Sequence, residues 1–146
     1  MIRFVKLGET HLPEIKEWFK HDSISRWIAI DDWDAYYEYA ANNPATHVFA
    51  IYGGDTFIGE FTAEKLDGGA FAVMLIIAPQ YQNKGYGVRA LRYFSENAAA
   101  LLGCTPERLC AAIESGNAAS ITCFVRAGYS RRGTDSDGVD IYFFCF

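Results

Sequence analysis

The chain has 146 residues, of which 51% are apolar and 16% aromatic. This composition supports a continuous core in one domain, residues 1–146, and excludes a mostly disordered chain. The formal net charge of −5 disfavours general nucleic-acid binding, because neutralising phosphates requires clustered Lys and Arg.

Neither a membrane span nor a metal site is expected from the sequence. No apolar run approaches the roughly 18 residues that a spanning helix needs, and no signal peptide is recognisable at the N-terminus. The four cysteines are widely spaced within apolar segments, and the three histidines do not form a ligand-spaced cluster. We therefore expect buried, reduced thiols in a cytoplasmic protein, without zinc.

The N-terminal half is predicted to contain one strand, two helices and a hairpin. A short alternating strand covers residues 2–7, and a helix with Thr10 as its N-cap runs to residue 19. A second helix covers residues 33–41 and ends before Asn-Asn-Pro. Strands at residues 46–52 and 56–64 are joined by Gly-Gly-Asp, a strong hairpin signal.

The C-terminal half is predicted to alternate strands and helices. The segment 70–78 is continuously apolar, as in a central strand covered on both faces. The remaining elements are a helix at 86–102, a strand at 108–114, a helix at 118–126 and short strands at 129–132 and 139–144. Because the middle strands come as hairpins, the pattern indicates an α+β fold with a mixed sheet.

The loop before residue 86 is a candidate anion site. A buried strand leads into a polar loop, and a helix starts immediately after it. Gly85 and Gly87 allow a ligand to approach the backbone closely, and the amides of residues 83–88 converge at the positive end of the helix dipole. Lys84 adds a positive charge, so a diphosphate is the expected ligand.

Three interpretations of this loop compete. Residues 85–90 fit the dinucleotide fingerprint G-x-G-x-x-G/A, but too few residues follow to complete a paired nucleotide-binding fold. The glycines could instead serve only a tight strand-to-helix turn. The third interpretation is a family resemblance.

Two segments of the chain resemble motifs of the GCN5-related N-acetyltransferase (GNAT) family. The first motif, [V/I]-x-P-x-x-[Q/R]-x-x-G-x-[G/A], is matched by Ile77, Pro79, Gln82, Gly85 and Gly87. The second, N-x-x-A/S-x-x-x-Y-x-x-x-G-F, is matched by Asn117, Ser120, Gly128 and Tyr129. The resemblance implies a mostly antiparallel mixed central sheet with helices on both faces, and an acetyl-CoA-dependent N-acetyltransferase.

The resemblance also implies which residues hold acetyl-CoA. The loop amides would bind the diphosphate, the end of the central strand would pair with the pantetheine arm, and Asn117 would bond to that arm or simply cap its helix. Many family members carry Tyr where this chain has Phe124, so the usual proton donor to the departing thiolate is missing. The implied coenzyme-binding residues are Ile76, Ile77, Gln82, Asn83, Lys84, Gly85, Tyr86, Gly87, Val88, Asn117 and Phe124.

An amine acceptor must lose a proton before it attacks the thioester, so a general base is expected. Strand alternation places Phe57, Gly59, Phe61 and Ala63 on one face, and Ile58, Glu60, Thr62 and Glu64 on the other. Glu114 and Glu60 are equal candidates for the base, and Glu64 ranks behind them. The alternative is that each is a solvated strand carboxylate.

The acceptor is expected to be a small cationic amine. Trp27, Asp31, Asp32 and Trp33 form an acidic, aromatic segment suited to a cation, although Asp residues also favour a first helical turn. Residues 12–19 and 26–27 also resemble aminoglycoside 6'-N-acetyltransferases. The alternatives are acetylation of a protein N-terminus and a non-catalytic sensor module that binds CoA or another diphosphate. Family members are often dimers, which makes a homodimer the expected protein partner.

Overall fold

A single seven-stranded sheet organises the chain in the computed structural model, which describes residues 1–146. In chain order the strands are β1 (Ile2–Lys6), β2 (Thr46–Gly53), β3 (Thr56–Lys65), β4 (Ala70–Ile77), β5 (Arg108–Ile113), β6 (Ser130–Thr134) and β7 (Asp140–Cys145). Their order across the sheet is β1-β2-β3-β4-β5-β7-β6. All neighbours are antiparallel except β4 and β5, which run parallel.

Helices cover both faces of this sheet. They are α1 (Leu12–Trp18), α2 (Asp22–Ser25), α3 (Trp33–Ala41), α4 (Tyr86–Leu102) and α5 (Ala118–Arg126). Successive residues of β2 separate the two faces: Phe49 and Ile51 belong to the core formed with α4 and α5, whereas Ala50 belongs to the core formed with α1, α2 and α3. The predicted α+β fold with a mostly antiparallel mixed sheet is confirmed, and the dinucleotide interpretation, which needs a parallel sheet, is wrong.

The predicted helices at 33–41, 86–102 and 118–126 are confirmed to the residue. The first helix differs from its prediction, because a 3₁₀ turn at Glu9–His11 precedes α1 and Thr10 does not cap it. The imidazole Nδ1 of His11 instead accepts a hydrogen bond from the Gly8 amide at 2.9 Å. The four-residue α2 is too short to have shown helical periodicity in the sequence. None of the helices combines the length and the hydrophobicity that a membrane span requires.

A β-bulge changes the predicted alternation along β3. Ile51 pairs with Gly59 and Tyr52 with Phe57, so Ile58 is the extra residue. As a result, Ile58 packs in the core with Phe61, whereas Phe57 joins the core on the α1–α3 face. The prediction that Phe57 shares a face with Phe61, and Ile58 with Glu60, is therefore wrong.

The cysteines are less buried than predicted. All four are free, but Cys104 and Cys145 are exposed and Cys110 and Cys123 are only half-buried. Cys104 follows the glycine that ends α4, and Cys145 is the last residue of β7, where little covers it. Their apolar neighbours in the sequence did not reveal these terminal positions.

Candidate active site

The two parallel strands separate partway along their length. Three residue pairs join β4 to β5, and the last of them is Ala72 with Cys110. Beyond it β4 continues to pair with β3, and β5 continues to pair with β7. A wedge therefore opens between the second halves of β4 and β5, where neither strand has a partner on that side.

The free edge of β4 presents backbone groups to this wedge. The Ala78 amide donates to the Ile58 carbonyl at 2.8 Å, so Ala78 faces β3. Because backbone groups alternate along a strand, the amides of Leu75 and Ile77 face the wedge instead. The Ile77 carbonyl also points away from β3, because it accepts a hydrogen bond from Gln82 Nε2 at 3.0 Å.

A cleft of about 720 Å³ occupies the wedge. Except for Lys84, which is exposed outside it, every residue that the sequence analysis assigned to coenzyme binding lines this cleft. The structure thus brings the end of β4, the loop before α4 and the start of α5 to one place. The cleft is also lined by residues that the sequence analysis missed, among them Ser23, Ile24 and Ile28 from α2 and its following loop, and Thr122 and Arg126 from α5.

The loop before α4 carries a row of unused amide donors. The first helical hydrogen bond runs from the Arg89 amide to the Gly85 carbonyl at 3.2 Å, and the amides of residues 83–88 make no hydrogen bond within the chain. Asn83 and Gly85 have φ of 62° and 84°, which glycine and asparagine tolerate best. A Cβ built on Gly85 meets no atom within 4 Å, so the space beside it is open. Free amides at a helix N-terminus form an anion site, and the loop therefore fits a diphosphate.

Gly87 serves helix packing as well as the cleft. A Cβ built at this position lies 2.6 Å from Cys123 Sγ on α5. We expect Gly87→Ala to lower the free energy of unfolding by about 1–3 kcal/mol through overpacking. A second substitution, Cys123→Ala, is expected to restore most of this loss, because it removes the atom that the new Cβ meets. Urea denaturation of both single variants and the double variant tests this coupling, and additive effects would contradict it.

Asn117 caps its helix, one of the two roles considered for it above. Its side chain accepts a hydrogen bond from the Ser120 amide at 3.3 Å and so caps α5. The residue also lines the cleft opposite β4.

Phe124, on the same helix, is 4% exposed and packs edge-on against Tyr129 at 4.9 Å. Burial raises the pKa of the neighbouring Cys123 thiol to about 11, so it stays protonated at neutral pH and is a poor nucleophile.

Glu60 is buried on the α1–α3 face of the sheet. It is 0% exposed and does not itself line the cleft, but it pairs across strands with Ile76, which does. Its Oε2 accepts a hydrogen bond from Thr62 Oγ1 at 2.6 Å, while its buried Oε1 has no partner. Desolvation raises the pKa of this carboxyl to about 8, although the Thr62 hydrogen bond opposes the shift.

The other two candidate bases lie elsewhere. Glu114 is exposed after β5 and does not line the cleft, although its carbonyl accepts a hydrogen bond from the Asn117 amide at 2.9 Å. Glu64 is half-buried at the far end of β3, where its Oε2 accepts hydrogen bonds from Thr46 Oγ1 at 3.2 Å and Tyr39 Oη at 3.4 Å. Of the three carboxylates, only Glu60 is both buried and beside a cleft residue.

The acidic, aromatic segment is divided by the fold. Trp27 lines the cleft, whereas Asp31 and Asp32 are exposed outside it. Asp32 caps α3, accepting a hydrogen bond from the Ala35 amide at 3.0 Å. Trp33 is 3% exposed in the core on the α1–α3 face, and its indole Nε1 is buried without a partner. The structure therefore brings only one of these four residues to the cleft.

Comparisons with known proteins agree with this geometry. A family model described as an acetyltransferase (GNAT) domain matches residues 2–130. The uncharacterized N-acetyltransferase YfmK of Bacillus subtilis is 27% identical over 141 residues, which cover 92% of this chain and 89% of that protein.

Solved structures with low sequence identity share the fold. The aminoglycoside acetyltransferase AAC(6')-Ib, crystallised with coenzyme A and kanamycin, superposes with a TM-score of 0.83 at 18% identity, covering 99% of this chain and 95% of that one. The spermidine N-acetyltransferase of Vibrio cholerae, in complex with CoA and spermine, gives a TM-score of 0.81 at 14% identity, covering 99% of this chain and 95% of that one.

Proposed function

The chain belongs to the GNAT acetyltransferase family and is an acetyl-CoA-dependent N-acetyltransferase, and from this premise we propose that its acceptor is a primary amine of a small cationic molecule. The transfer is direct, within a ternary complex of enzyme, acetyl-CoA and amine. The observation that carries this proposal is the wedge between β4 and β5, where the unused amide donors lie, with the buried Glu60 carboxyl one strand away opposite Ile76.

Bound acetyl-CoA supplies an activated acyl group on a thioester. The free amides of residues 83–88 bind its diphosphate, and Lys84 adds a positive charge nearby. The amide of Leu75 or Ile77 donates to the thioester carbonyl oxygen as negative charge develops there. A fixed donor of this kind contributes about 3 kcal/mol to lowering the barrier.

Deprotonating the acceptor is the task of Glu60. An alkyl amine has a pKa of about 10 and arrives mostly protonated, so a group beside the cleft must receive a proton. Glu60 is supported over Glu114 by its burial next to Ile76 and by its unpartnered Oε1. Its raised pKa of about 8 makes its ionised form a stronger base than an ordinary carboxylate.

The departing thiolate leaves without help from residue 124. Phe124 has no hydroxyl, and the hydroxyl of Tyr129 is buried with no hydrogen-bond partner. A thiol pKa of about 8.5 makes unassisted departure tolerable near neutral pH. This chain therefore depends on the activated amine more than on protonation of the leaving group.

The negative net charge of the chain and the ligands of its structural neighbours both support a cationic acceptor. The net charge of −5 attracts cations, and Trp27 offers an aromatic face in the cleft. Two proteins of the same fold carry kanamycin and spermine in their crystal structures.

Thiol release from acetyl-CoA tests the proposal. The panel of acceptors contains an aminoglycoside, a linear polyamine, a simple alkyl amine and a peptide with a free N-terminus, with a no-amine control. We expect saturable release with a small polycation and intersecting double-reciprocal lines, as a ternary complex requires. Release with the peptide alone, or parallel lines typical of a covalent acyl-enzyme, would contradict the proposal.

A further inference from the structure

The two oxygens of Glu60 have different surroundings. Oε2 accepts a hydrogen bond from Thr62, whereas Oε1 is buried without any hydrogen-bond partner. An unsatisfied buried acceptor destabilises a fold and is uncommon in native proteins. Oε1 is therefore the oxygen that is free to receive a proton.

Thr62 connects this carboxyl to a hydroxyl on α3. Tyr36 Oη donates to Thr62 Oγ1 at 3.3 Å, and Thr62 itself is 5% exposed. Tyr36 is half-buried, whereas Glu60 is 0% exposed. Burial raises the pKa of Tyr36 to about 12, so it remains a neutral hydroxyl that can both donate and accept a proton.

No cation neutralises Glu60 from the elements around it. On β2 and β4 its cross-strand neighbours are Ala50 and Ile76, which are apolar. The titratable groups that interact with Tyr36 are Glu60 and Glu64 on β3 and Tyr39 on α3, none of which carries positive charge. The basic side chains of α1 and of the turn before it have other partners, Lys16 with Asp34 and His11 with Tyr52. A buried general base must lose the proton it has accepted before the next turnover. The Glu60 side chain has one hydrogen-bond partner, Thr62, through which this proton could leave.

We propose that Thr62 and Tyr36 are positioning residues that orient Glu60 and return its proton to solvent after each transfer; this inference rests on the proposed function. The amine gives one proton to Oε1, and rotation of the carboxyl group turns the protonated oxygen toward Thr62. With the Thr62 and Tyr36 hydroxyls turned outward, the carboxyl gives this proton to Thr62 Oγ1, Thr62 gives its own to Tyr36 Oη, and Tyr36 gives its own to water. One proton enters and one leaves, and both hydroxyls are restored when they rotate back.

Steady-state kinetics of hydroxyl-deleted variants test this path. Thr62→Val and Tyr36→Phe are each expected to lower kcat about tenfold, part of the roughly 10²–10⁴-fold that general base catalysis contributes, with KM for both substrates unchanged. Thr62→Ser keeps the hydroxyl and is expected to restore kcat. Tyr39→Phe, on the same helix but bonded to Glu64, is the matched control and is expected to behave as wild type.

An NMR titration of the Glu60 carboxyl carbon separates orientation from proton transfer without measuring activity. We expect Thr62→Val to raise the pKa of Glu60 by about 1–2 pH units, because a hydrogen bond to the ionised form is lost. Tyr36→Phe does not touch Glu60, so it should leave this pKa nearly unchanged while still lowering kcat.

The outcomes distinguish this inference from the proposed function. If the wild-type protein releases no thiol with any amine, the proposed function fails, and an unchanged Glu60 pKa in Thr62→Val would then count against the positioning role as well. If the wild type is active and Tyr36→Phe keeps its kcat, the proton path is contradicted while the acetyltransferase assignment stands.

Discussion

Replacing Gly85 by aspartate is expected to weaken acetyl-CoA binding at least about a hundredfold. The glycine has φ of 84° and precedes the free amides of α4, and a side chain there enters open space. A carboxylate at this point faces the diphosphate, and juxtaposed like charges cost several kcal/mol, of which each 1.4 kcal/mol is about tenfold in affinity. Isothermal titration calorimetry with acetyl-CoA measures the loss.

Gly85→Asn is the matched control for this substitution. Asparagine has almost the shape of aspartate and also tolerates positive φ, so it tests the side chain without its charge. We expect it to weaken binding much less than aspartate does, with similar melting temperatures for the two variants. Equal affinities for the aspartate and asparagine variants would show that the negative charge meets no bound anion at this loop.

Glu60→Gln is expected to lower kcat by roughly 10²–10⁴-fold, the usual contribution of a general base. Glutamine keeps the size of the buried side chain and its contact with Thr62 but cannot accept the acceptor's proton. In the wild type, activity should rise with pH through about 8, where Glu60 loses its proton. Glu64→Gln, farther along β3, is the control that should keep most activity, and full activity of Glu60→Gln would rule out this base.

The same variant has a stability signature that is independent of catalysis. Burial raises the pKa of Glu60 from 4.5 to about 8, so between these values the folded state holds a proton that the unfolded state has lost. The stability contributed by the neutral carboxyl is therefore full below pH 4.5 and is lost as the pH rises to about 8. Relative to Glu60→Gln, the wild type should lose about 1.4 kcal/mol per pH unit in this window. A difference that does not change with pH would contradict the neutral buried carboxyl.

Local sequence signals predicted the helices that border the cleft well. Helices with strong periodicity and clear caps, such as α4 and α5, were correct to the residue. The glycines and the polar loop before α4 predicted a candidate anion site, because its donors would be consecutive backbone amides, and the structure leaves those amides without partners. A site formed by consecutive residues of one strand-to-helix loop can be predicted from the sequence alone.

The acceptor side depends on contacts between distant residues, which the sequence does not reveal. The bulge at Ile58 moved Phe57 to the other face of β3, and no residue-type signal marked it. Trp33 resembled a binding residue but is buried in the core, because α3 turns it toward the sheet. The hydroxyl path from Tyr36 to Glu60 joins α3 to β3 across the fold, and only packing brings it together.

A crystal structure of the protein soaked with acetyl-CoA tests the central claim most directly. The account predicts diphosphate oxygens within about 2.7–3.2 Å of the amides of residues 83–88, and the thioester carbonyl at the amide of Leu75 or Ile77. A diphosphate bound elsewhere, with the loop amides still free, would contradict it.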